Sequence, residues 1–266
     1  MRKARLLTAV IVIVIAMSMS FPSYAQGIYS IDTEQCSQGI FTIDYTIGKD
    51  DKVKIMVQKN GTSLYYNLKS TKNSETFPLQ LGEGTYTIAV LENVSDNRYR
   101  QVMQSTVDVF YTDTFSIFLQ SIQFINWDDE SPAVKIAREL VSDKKSDYEK
   151  VRAIYDYIVH NFSYDFNKTE LPYDYLPDID KMMKDKKGIC YDFSSLFASM
   201  LRSVGIPAKL VKGYGSKTKG YHAWNEVYID GSWKLIDTSF DAQMVQEGQA
   251  FTMYKDENHY TKVSEF

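Results

Sequence analysis

The chain has 266 residues, of which 44% are hydrophobic and 24% charged, enough for one large or two modest globular domains. It carries 30 basic and 34 acidic residues; without the three basic residues of its first 25 positions, 27 and 34 remain, a net charge of −7. A mildly acidic surface argues against nucleic acids or anionic cell-wall polymers as electrostatic partners.

The first 25 residues are predicted to be a secretory signal peptide. Three basic residues lie within the first five positions, and an almost unbroken apolar run follows over residues 6–19. Ser23-Tyr24-Ala25 then places small residues at positions −3 and −1 of a cleavage after Ala25. The apolar run is shorter than the ~20 residues that span a bilayer. We therefore expect a secreted or cell-surface protein without stable membrane insertion after cleavage.

Residues 26–111 are predicted to form an all-β domain of immunoglobulin-like type. Short segments rich in β-branched and aromatic residues alternate with turn signals such as Asn60-Gly61. The predicted strands cover residues 40–45, 53–57, 63–66, 85–90 and 102–110. Because no constellation of catalytic residues lies in this domain, we expect an attachment or spacer module.

Residues 112–130 are expected to be a linker to a second domain over residues 131–266. The first helix of this domain begins at Ser131-Pro132, with proline at the first helical position. The second opens with Ser146-Asp147-Tyr148-Glu149, a capping box. The stretch over residues 163–187 is predicted to be irregular, and irregular stretches of this length inside a domain are more often functional than not.

Cys190 is predicted to lie in the first turn of an amphipathic helix. Apolar residues recur with helical spacing from Phe193 to Val204, and Gly205 and Pro207 end the pattern. The positive end of the helix dipole favours the thiolate, which is the nucleophilic form of cysteine. The neighbouring basic residues that add to this effect are Lys184, Lys186 and Lys187.

Two other interpretations of Cys190 stay open at this point. It could be a small buried apolar residue, or it could form a disulfide with Cys36, the second of the two cysteines.

A hairpin is predicted to bring His222 to Asp237. Residues 221–229 and 232–237 have the pattern of antiparallel strands, and Asp230-Gly231 is a two-residue turn signal. In that register paired residue numbers sum to 461, and His222 becomes a diagonal neighbour of Asp237 on the same face. A three-residue loop would place Asp237 on the opposite face.

These positions predict a nucleophile, a base and an orienting acid. His222 would take the proton of Cys190, while Asp237 would fix the imidazole tautomer and stabilise the imidazolium. Asp241 has the same parity as Asp237 and is the alternative acid.

The remaining histidines are weaker candidates, because His160 ends a helix and His259 lies in a polar tail. Without a ligand-spaced cluster the sequence predicts no metal site.

Several blocks of the sequence strongly resemble the transglutaminase-like core, over roughly residues 150–240. They are KGICYDFSSL at 187–196, MLRSVGIPA at 200–208, Gly213-Tyr214, HAWNEV at 222–227, Trp233 and Asp237. The resemblance implies a papain-like α+β fold, with a nucleophile helix packed on an antiparallel sheet. It also implies a Cys190-His222-Asp237 triad and a thioester intermediate, without cofactor or metal; the calcium-binding regions of the animal enzymes have no counterpart here.

The resemblance implies a secreted bacterial enzyme that transfers acyl groups from protein or peptide amides, with cell-envelope proteins among the conceivable substrates. Two alternatives remain: a cysteine peptidase or amidase that hydrolyses the thioester, and a surface-binding module that keeps the fold without the chemistry. For the oxyanion, the backbone N–H of Cys190 is one expected donor at a helix start. The hydroxyl of Tyr175, in the irregular stretch, is the suggested second donor.

Overall fold

The structure, a computed structural model, describes residues 27–168, 170–172, 174–218 and 220–266. The predicted signal peptide at residues 1–25 lies outside the described residues. The chain divides into two compact units, Met1–Tyr111 and Thr112–Phe266. Within the described ranges, no helix is long and apolar enough to cross a membrane.

Over residues 27–111 the first unit contains seven strands, which pair antiparallel in two sheets. The strands are β1 (Ile28–Asp32), β2 (Ile40–Thr46), β3 (Val53–Lys59), β4 (Thr62–Asn67), β5 (Ser74–Pro78), β6 (Gly84–Ser95) and β7 (Arg98–Val109). One sheet has the order β1-β2-β5 and the other β4-β3-β6-β7. The predicted all-β fold is confirmed, and β1 and β5 are additions to the predicted strands.

A buried tyrosine stabilises the connection between β5 and β6. The Tyr86 hydroxyl lies 2.7 Å from the carbonyl oxygen of Gly82 and 2.9 Å from that of Leu79, and its side chain is fully buried. A tyrosine near the start of this strand that bonds backbone a few residues upstream is typical of immunoglobulin-like sandwiches. The rings of Tyr66 and Phe77, 5.3 Å apart, join strands of the two sheets.

The second unit combines helices with an antiparallel sheet. Its elements are α1 (Pro132–Val141), α2 (Asp147–Asn161), β8 (Ser163–Tyr164), α3 (Ile179–Asp185), β9 (Lys187–Gly188), α4 (Cys190–Arg202), β10 (Ala208–Gly215), β11 (Tyr221–Ile229), β12 (Ser232–Ile236), α5 (Thr238–Gln246) and β13 (Tyr260–Glu265). The sheet has the order β12-β11-β10-β13, and β8 pairs with β9 in parallel.

Helix α4 is the centre of this unit. It packs against β10 and β11 on one side and against α1, α2 and α5 on the others. Phe193, Leu196, Phe197, Met200 and Leu201 are fully buried, and each such side chain stabilises the fold by roughly 1.5–3 kcal/mol. The predicted α+β fold, with the nucleophile helix on an antiparallel sheet, is therefore confirmed.

The segment over residues 112–130, expected to be a linker, lies within the second unit. Phe118 packs edge-on against Trp233 at 5.2 Å, and the Ser195 hydroxyl donates to the Phe124 carbonyl over 2.7 Å. These long-range contacts are invisible in the sequence of the segment itself, which lacks the periodicity of a helix or a strand.

Part of the stretch predicted to be irregular is ordered as α3 and two short strands. Asp178 caps α3 by accepting from the Lys181 N–H over 2.9 Å. With seven residues, the helix is too short for its apolar spacing to stand out in the sequence. At the C-terminus, the segment described as a polar tail forms β13 at the edge of the sheet.

Candidate active site

Cys190 is the first residue of α4, where the helix dipole places its partial positive charge. Its thiol forms no disulfide and is partly exposed. Cys36, in a short turn of the first unit, is also a free thiol. The structure therefore contains no disulfide at either cysteine.

Tyr164 contacts Cys190 because of the short parallel ladder between β8 and β9. In this ladder Tyr164 pairs with Gly188, two residues before Cys190. This pairing brings Tyr164 next to the first turn of α4, where Cys190 lies. Burial, together with the charge of Cys190, raises the pKa of Tyr164 to about 12. A neutral hydroxyl group therefore lies beside the thiol.

Asp192 anchors the preceding stretch of chain to the first turn of α4. Its buried carboxylate accepts from the Ile189 N–H over 3.0 Å and from the Lys168 ammonium over 2.9 Å. Its second oxygen accepts a short hydrogen bond from the Tyr175 hydroxyl. Tyr175 is thus engaged by Asp192, and the suggestion that it donates to an oxyanion is wrong in this arrangement. Tyr164 occupies the place that the sequence analysis gave to Tyr175.

The hairpin of β11 and β12 has the predicted register. Ile229 pairs with Ser232 and Asn225 with Ile236, and both turn residues have positive φ, 51° at Asp230 and 80° at Gly231. Such a two-residue turn matches the twist of the strands it joins. β12 ends one residue earlier than predicted, so that Asp237 is the N-cap of α5.

Asp237 receives four hydrogen bonds while fully buried. One carboxylate oxygen accepts from His222 Nε2 over 2.7 Å and from the Tyr260 hydroxyl over 3.0 Å. The other accepts from the Ser239 hydroxyl over 2.9 Å and the Phe240 N–H over 3.0 Å. Burial alone would raise the pKa of Asp237, but the charge and hydrogen bonds of His222 and these donors hold it below its ordinary value.

The bond to Asp237 fixes the orientation of the His222 ring. Because Nε2 bonds the carboxylate, Nδ1 is the ring nitrogen that remains available to Cys190, whose charge acts on the imidazole. Burial disfavours the imidazolium, but the charge and hydrogen bond of Asp237, followed by those of Cys190, raise the pKa of His222 well above its ordinary value. The environment therefore favours a protonated imidazole beside Cys190.

The other predicted candidates lie outside this cluster. Asp241, the alternative acid, accepts from the Tyr155 hydroxyl over 2.7 Å and from Lys255 over 2.5 Å. The remaining two histidines have local partners: His160 Nδ1 lies 2.9 Å from the Asp156 carbonyl oxygen, and His259 Nδ1 lies 3.0 Å from the Ser216 hydroxyl.

The lysines expected to act on Cys190 are directed elsewhere. Lys187 forms an ion pair with Asp165 at 3.0 Å, and the Lys186 ammonium lies 3.1 Å from the Tyr157 hydroxyl. A different lysine, Lys212 on β10, has a pKa that depends on the charge of Cys190. The sequence offers no signal for it, since a lysine on a strand is ordinarily taken to be solvent-exposed.

The comparisons with known proteins agree with the position of this cluster. A family model described as the Transglutaminase-like superfamily matches residues 134–238. Kyphoscoliosis peptidase of Mus musculus is 30% identical over 122 residues, which cover 42% of this chain and 18% of that protein. The protein YebA of Bacillus subtilis (strain 168) is 33% identical over 112 residues, 35% of this chain and 15% of that protein. The matched segments therefore span less than a fifth of these curated relatives.

Solved structures with a similar fold include a candidate cysteine protease from Cytophaga hutchinsonii, 18% identical with a TM-score of 0.47, covering 82% of this chain and 70% of that chain. Another is the periplasmic domain of TgpA from Pseudomonas aeruginosa, 18% identical with a TM-score of 0.40, covering 79% and 73%. With TM-scores below 0.5, neither structure bears on the activity of this chain.

Proposed function

We propose that the second unit, whose residues 134–238 carry the core of the transglutaminase-like superfamily, is an enzyme that forms a thioester on Cys190 from a protein or peptide amide. The observation that carries the proposal is the hydrogen bond of 2.7 Å between His222 and the buried Asp237, beside Cys190 at the start of α4. Nucleophile, base and orienting acid in series are what thiol acyl transfer requires.

In the first half-reaction the Cys190 thiolate attacks the amide carbon, and a carbon–sulfur bond forms. The carbonyl electron pair moves to oxygen, and the tetrahedral intermediate then collapses with breakage of the carbon–nitrogen bond. His222, as the imidazolium, gives its proton to the leaving nitrogen, which departs as ammonia or an amine. Asp237 keeps the ring in the orientation required for this transfer.

Two donors can stabilise the negative oxygen of the intermediate. The backbone N–H of Cys190 lies at the start of α4, and the Tyr164 hydroxyl lies beside it. The incoming substrate oxygen would accept a hydrogen bond from each of these donors. Each donor of this kind contributes about 10²-fold to the rate or more.

In the second half-reaction an amine or water attacks the thioester. The neutral His222 accepts the proton of the attacking group, the carbon–sulfur bond breaks, and the thiolate is regenerated. We propose transfer to an amine as the leading reaction. Hydrolysis, which would make the protein a cysteine peptidase or amidase, is the second candidate, because a relative that is 30% identical over this region is named a peptidase.

A surface-binding module without chemistry is the third possibility, and the unbonded thiol at Cys190 argues against it. We also propose that the protein is exported and acts outside the cytoplasm. The support for export is the basic start, the apolar run and the small-residue cleavage signal of residues 1–25.

The test has two stages, with Cys36→Ala as the matched control for Cys190→Ala. First, iodoacetamide should label Cys190 faster than Cys36 at pH 7, and His222→Ala should slow that labelling. Equal labelling of the two cysteines, unaffected by His222→Ala, would rule out the proposed nucleophile.

Second, the purified protein is incubated with a glutamine-containing casein and a fluorescent primary amine. Incorporation of the amine that is lost with Cys190→Ala and kept with Cys36→Ala supports transfer. Release of ammonia or new peptide N-termini without incorporation would replace transfer by hydrolysis.

A further inference from the structure

Lys212 is a buried cation that the proposed reaction does not use. It lies on β10, where it pairs with Ala223 of β11, the residue that follows His222. On its other side the pairing with β13 shifts register between Lys212 and Gly213. A bulge of this kind changes the direction of nearby side chains and is over-represented next to active sites.

The backbone at this bulge is tightly packed. A Cβ atom at Gly213 would lie 2.0 Å from the Thr261 carbonyl oxygen and 2.8 Å from the Trp224 ring. The close approach of β13 therefore requires glycine at position 213.

The Lys212 ammonium is surrounded by aromatic rings. It lies 3.6 Å from the ring centroid of Tyr191, 5.1 Å from that of Phe124 and 5.4 Å from that of Phe266. The closest ring belongs to the residue directly after Cys190. Contacts of this kind stabilise a cation by about 0.5–2 kcal/mol, but they do not neutralise it.

Among the residues that the structure describes, no carboxylate forms an ion pair with Lys212. The titratable groups on the elements packed around it are Cys190, Tyr191, Asp192 and Arg202 of α4, Tyr221, His222, Glu226 and Tyr228 of β11, and Tyr260, Lys262 and Glu265 of β13. The three carboxylates have other cations: Asp192 pairs with Lys168 at 2.9 Å, and Glu226 and Glu265 pair with Lys262 at 2.7 and 2.6 Å. His222 is committed to Asp237. The thiol is therefore the group whose negative charge can stabilise this ammonium.

The interaction between the two groups is mutual. Burial lowers the pKa of Lys212 to about 8, and the charge of Cys190 acts in the opposite direction, to raise it. By linkage, a protonated Lys212 favours the thiolate by the same free energy. The protonated form is the main one below about pH 8 and is lost as the pH rises through that value.

We propose that Lys212 is a positioning residue for the reaction, whose ammonium, held by aromatic rings without a carboxylate, stabilises the thiolate of Cys190. The inference rests on the proposed role of Cys190 as the nucleophile. It assigns to a strand lysine the effect that the sequence analysis gave to Lys184, Lys186 and Lys187.

The test measures the rate constant for alkylation of Cys190 by iodoacetamide between pH 4 and 10. All variants are made in the full chain with Cys36→Ser, so that Cys190 is the one cysteine that iodoacetamide can alkylate. In Lys212→Met the pH at which reactivity appears should move up by about one unit, a tenfold change in the thiolate fraction at a given pH. At low pH the rate falls only about threefold, because a more basic thiolate is also more nucleophilic. Lys212→Arg should restore the parent profile below about pH 8, where Lys212 is protonated.

Lys209→Met is the matched control, because Lys209 lies on the same strand and contacts the ring of Trp233 at 4.4 Å, but forms an ion pair with Glu265 at 3.0 Å. It should leave the profile unchanged. A Lys212→Met profile that superimposes on that of the parent would overturn the proposal.

If Lys212→Met does not fold, the parent and Lys212→Arg still decide. Deprotonation of Lys212 near pH 8 should raise the parent rate about threefold further, and Lys212→Arg should lack this step. An identical step in both proteins, or no step in the parent, contradicts the proposal. Because alkylation needs no acyl substrate, a shifted profile without amine incorporation or hydrolysis would overturn the proposed function and leave the inference on Lys212 intact.

Discussion

The two ends of α4 differ in how a neighbouring buried cation is satisfied. At the C-terminal end the Arg202 guanidinium donates to the main-chain oxygens of Ala208 at 2.9 Å, Gln120 at 2.7 Å and Phe266 at 3.1 Å. At the N-terminal end the Lys212 ammonium has aromatic rings and the Cys190 thiol as its neighbours. Burial lowers the pKa of both cations.

The comparison distinguishes a buried cation that stabilises the fold, Arg202, from one with a proposed role in the reaction, Lys212. The donors of Arg202 end on oxygens of three chain segments, so that its hydrogen bonds hold these segments together and leave little interaction for a further group. The charge of Lys212 is not neutralised within its ring cluster, and the thiolate is its remaining electrostatic partner. A buried charge without a full set of polar partners is the one to examine for function.

The largest expected effect is that of a substitution at Asp237, the acid that bonds His222. Asp237→Asn should reduce the rate of the proposed reaction by about 10³–10⁴-fold, because the imidazole loses its anionic partner and its fixed tautomer. Asp241→Asn is the matched control, since Asp241 bonds Tyr155 and Lys255 instead of His222. The measurement is the rate of amine incorporation or thioester hydrolysis; equal losses in both variants would contradict the assignment of Asp237.

At the structural end, Arg202→Met should lower the free energy of unfolding by about 3 kcal/mol, because buried main-chain oxygens lose their donors. The rate per folded molecule should change little. Urea denaturation gives the stability, and the exposed Arg138→Met should change it by less than about 1 kcal/mol. A loss of rate without a loss of stability in Arg202→Met would contradict the structural role given to Arg202.

Tyr164→Phe should reduce the maximal rate by about 10²-fold with little change in substrate binding, because a hydroxyl that donates to the oxyanion acts only in the transition state. Tyr175→Phe is the control of similar shape. It removes a hydrogen bond to Asp192, so that we expect a loss of stability instead. The two variants therefore test whether Tyr164 or Tyr175 donates the hydrogen bond to the oxyanion.

The smallest expected effect is a pH dependence of stability. A raised pKa of His222 stabilises the fold below about pH 6.5, and this contribution is lost as the pH rises through the raised value. A lowered pKa of Asp237 contributes above about pH 4 and is lost as the pH falls. The stability difference between the parent and His222→Gln, about 1 kcal/mol or more, should be largest between pH 4 and 6.5. The exposed His160→Gln should show no such window.

Several parts of the site could be predicted because their signals are local. The start of α4 at Cys190 follows from an apolar spacing that the buried face confirms. The register of the hairpin follows from the two-residue turn Asp230-Gly231, because turn length and strand parity together determine which residues share a face. The approach of His222 to Asp237 could thus be predicted from two residues that are fifteen positions apart in the chain.

Other parts depend on contacts between distant segments. The strand pairing of Tyr164 with Gly188 brings a hydroxyl to the thiol from 26 positions away in the chain, and no local pattern indicates it. The same holds for residues 112–130, whose Gln120 and Phe124 bond to α4.

The sequence by itself determined the helix that begins at Cys190, the hairpin that carries His222, and the all-β character of the first unit. Short-range periodicity and turn chemistry decide these features. The tertiary structure decided which lysine and which tyrosine lie near Cys190, and that neither cysteine forms a disulfide. The physical reason is that these effects depend on burial and on through-space contacts, and a linear pattern records neither.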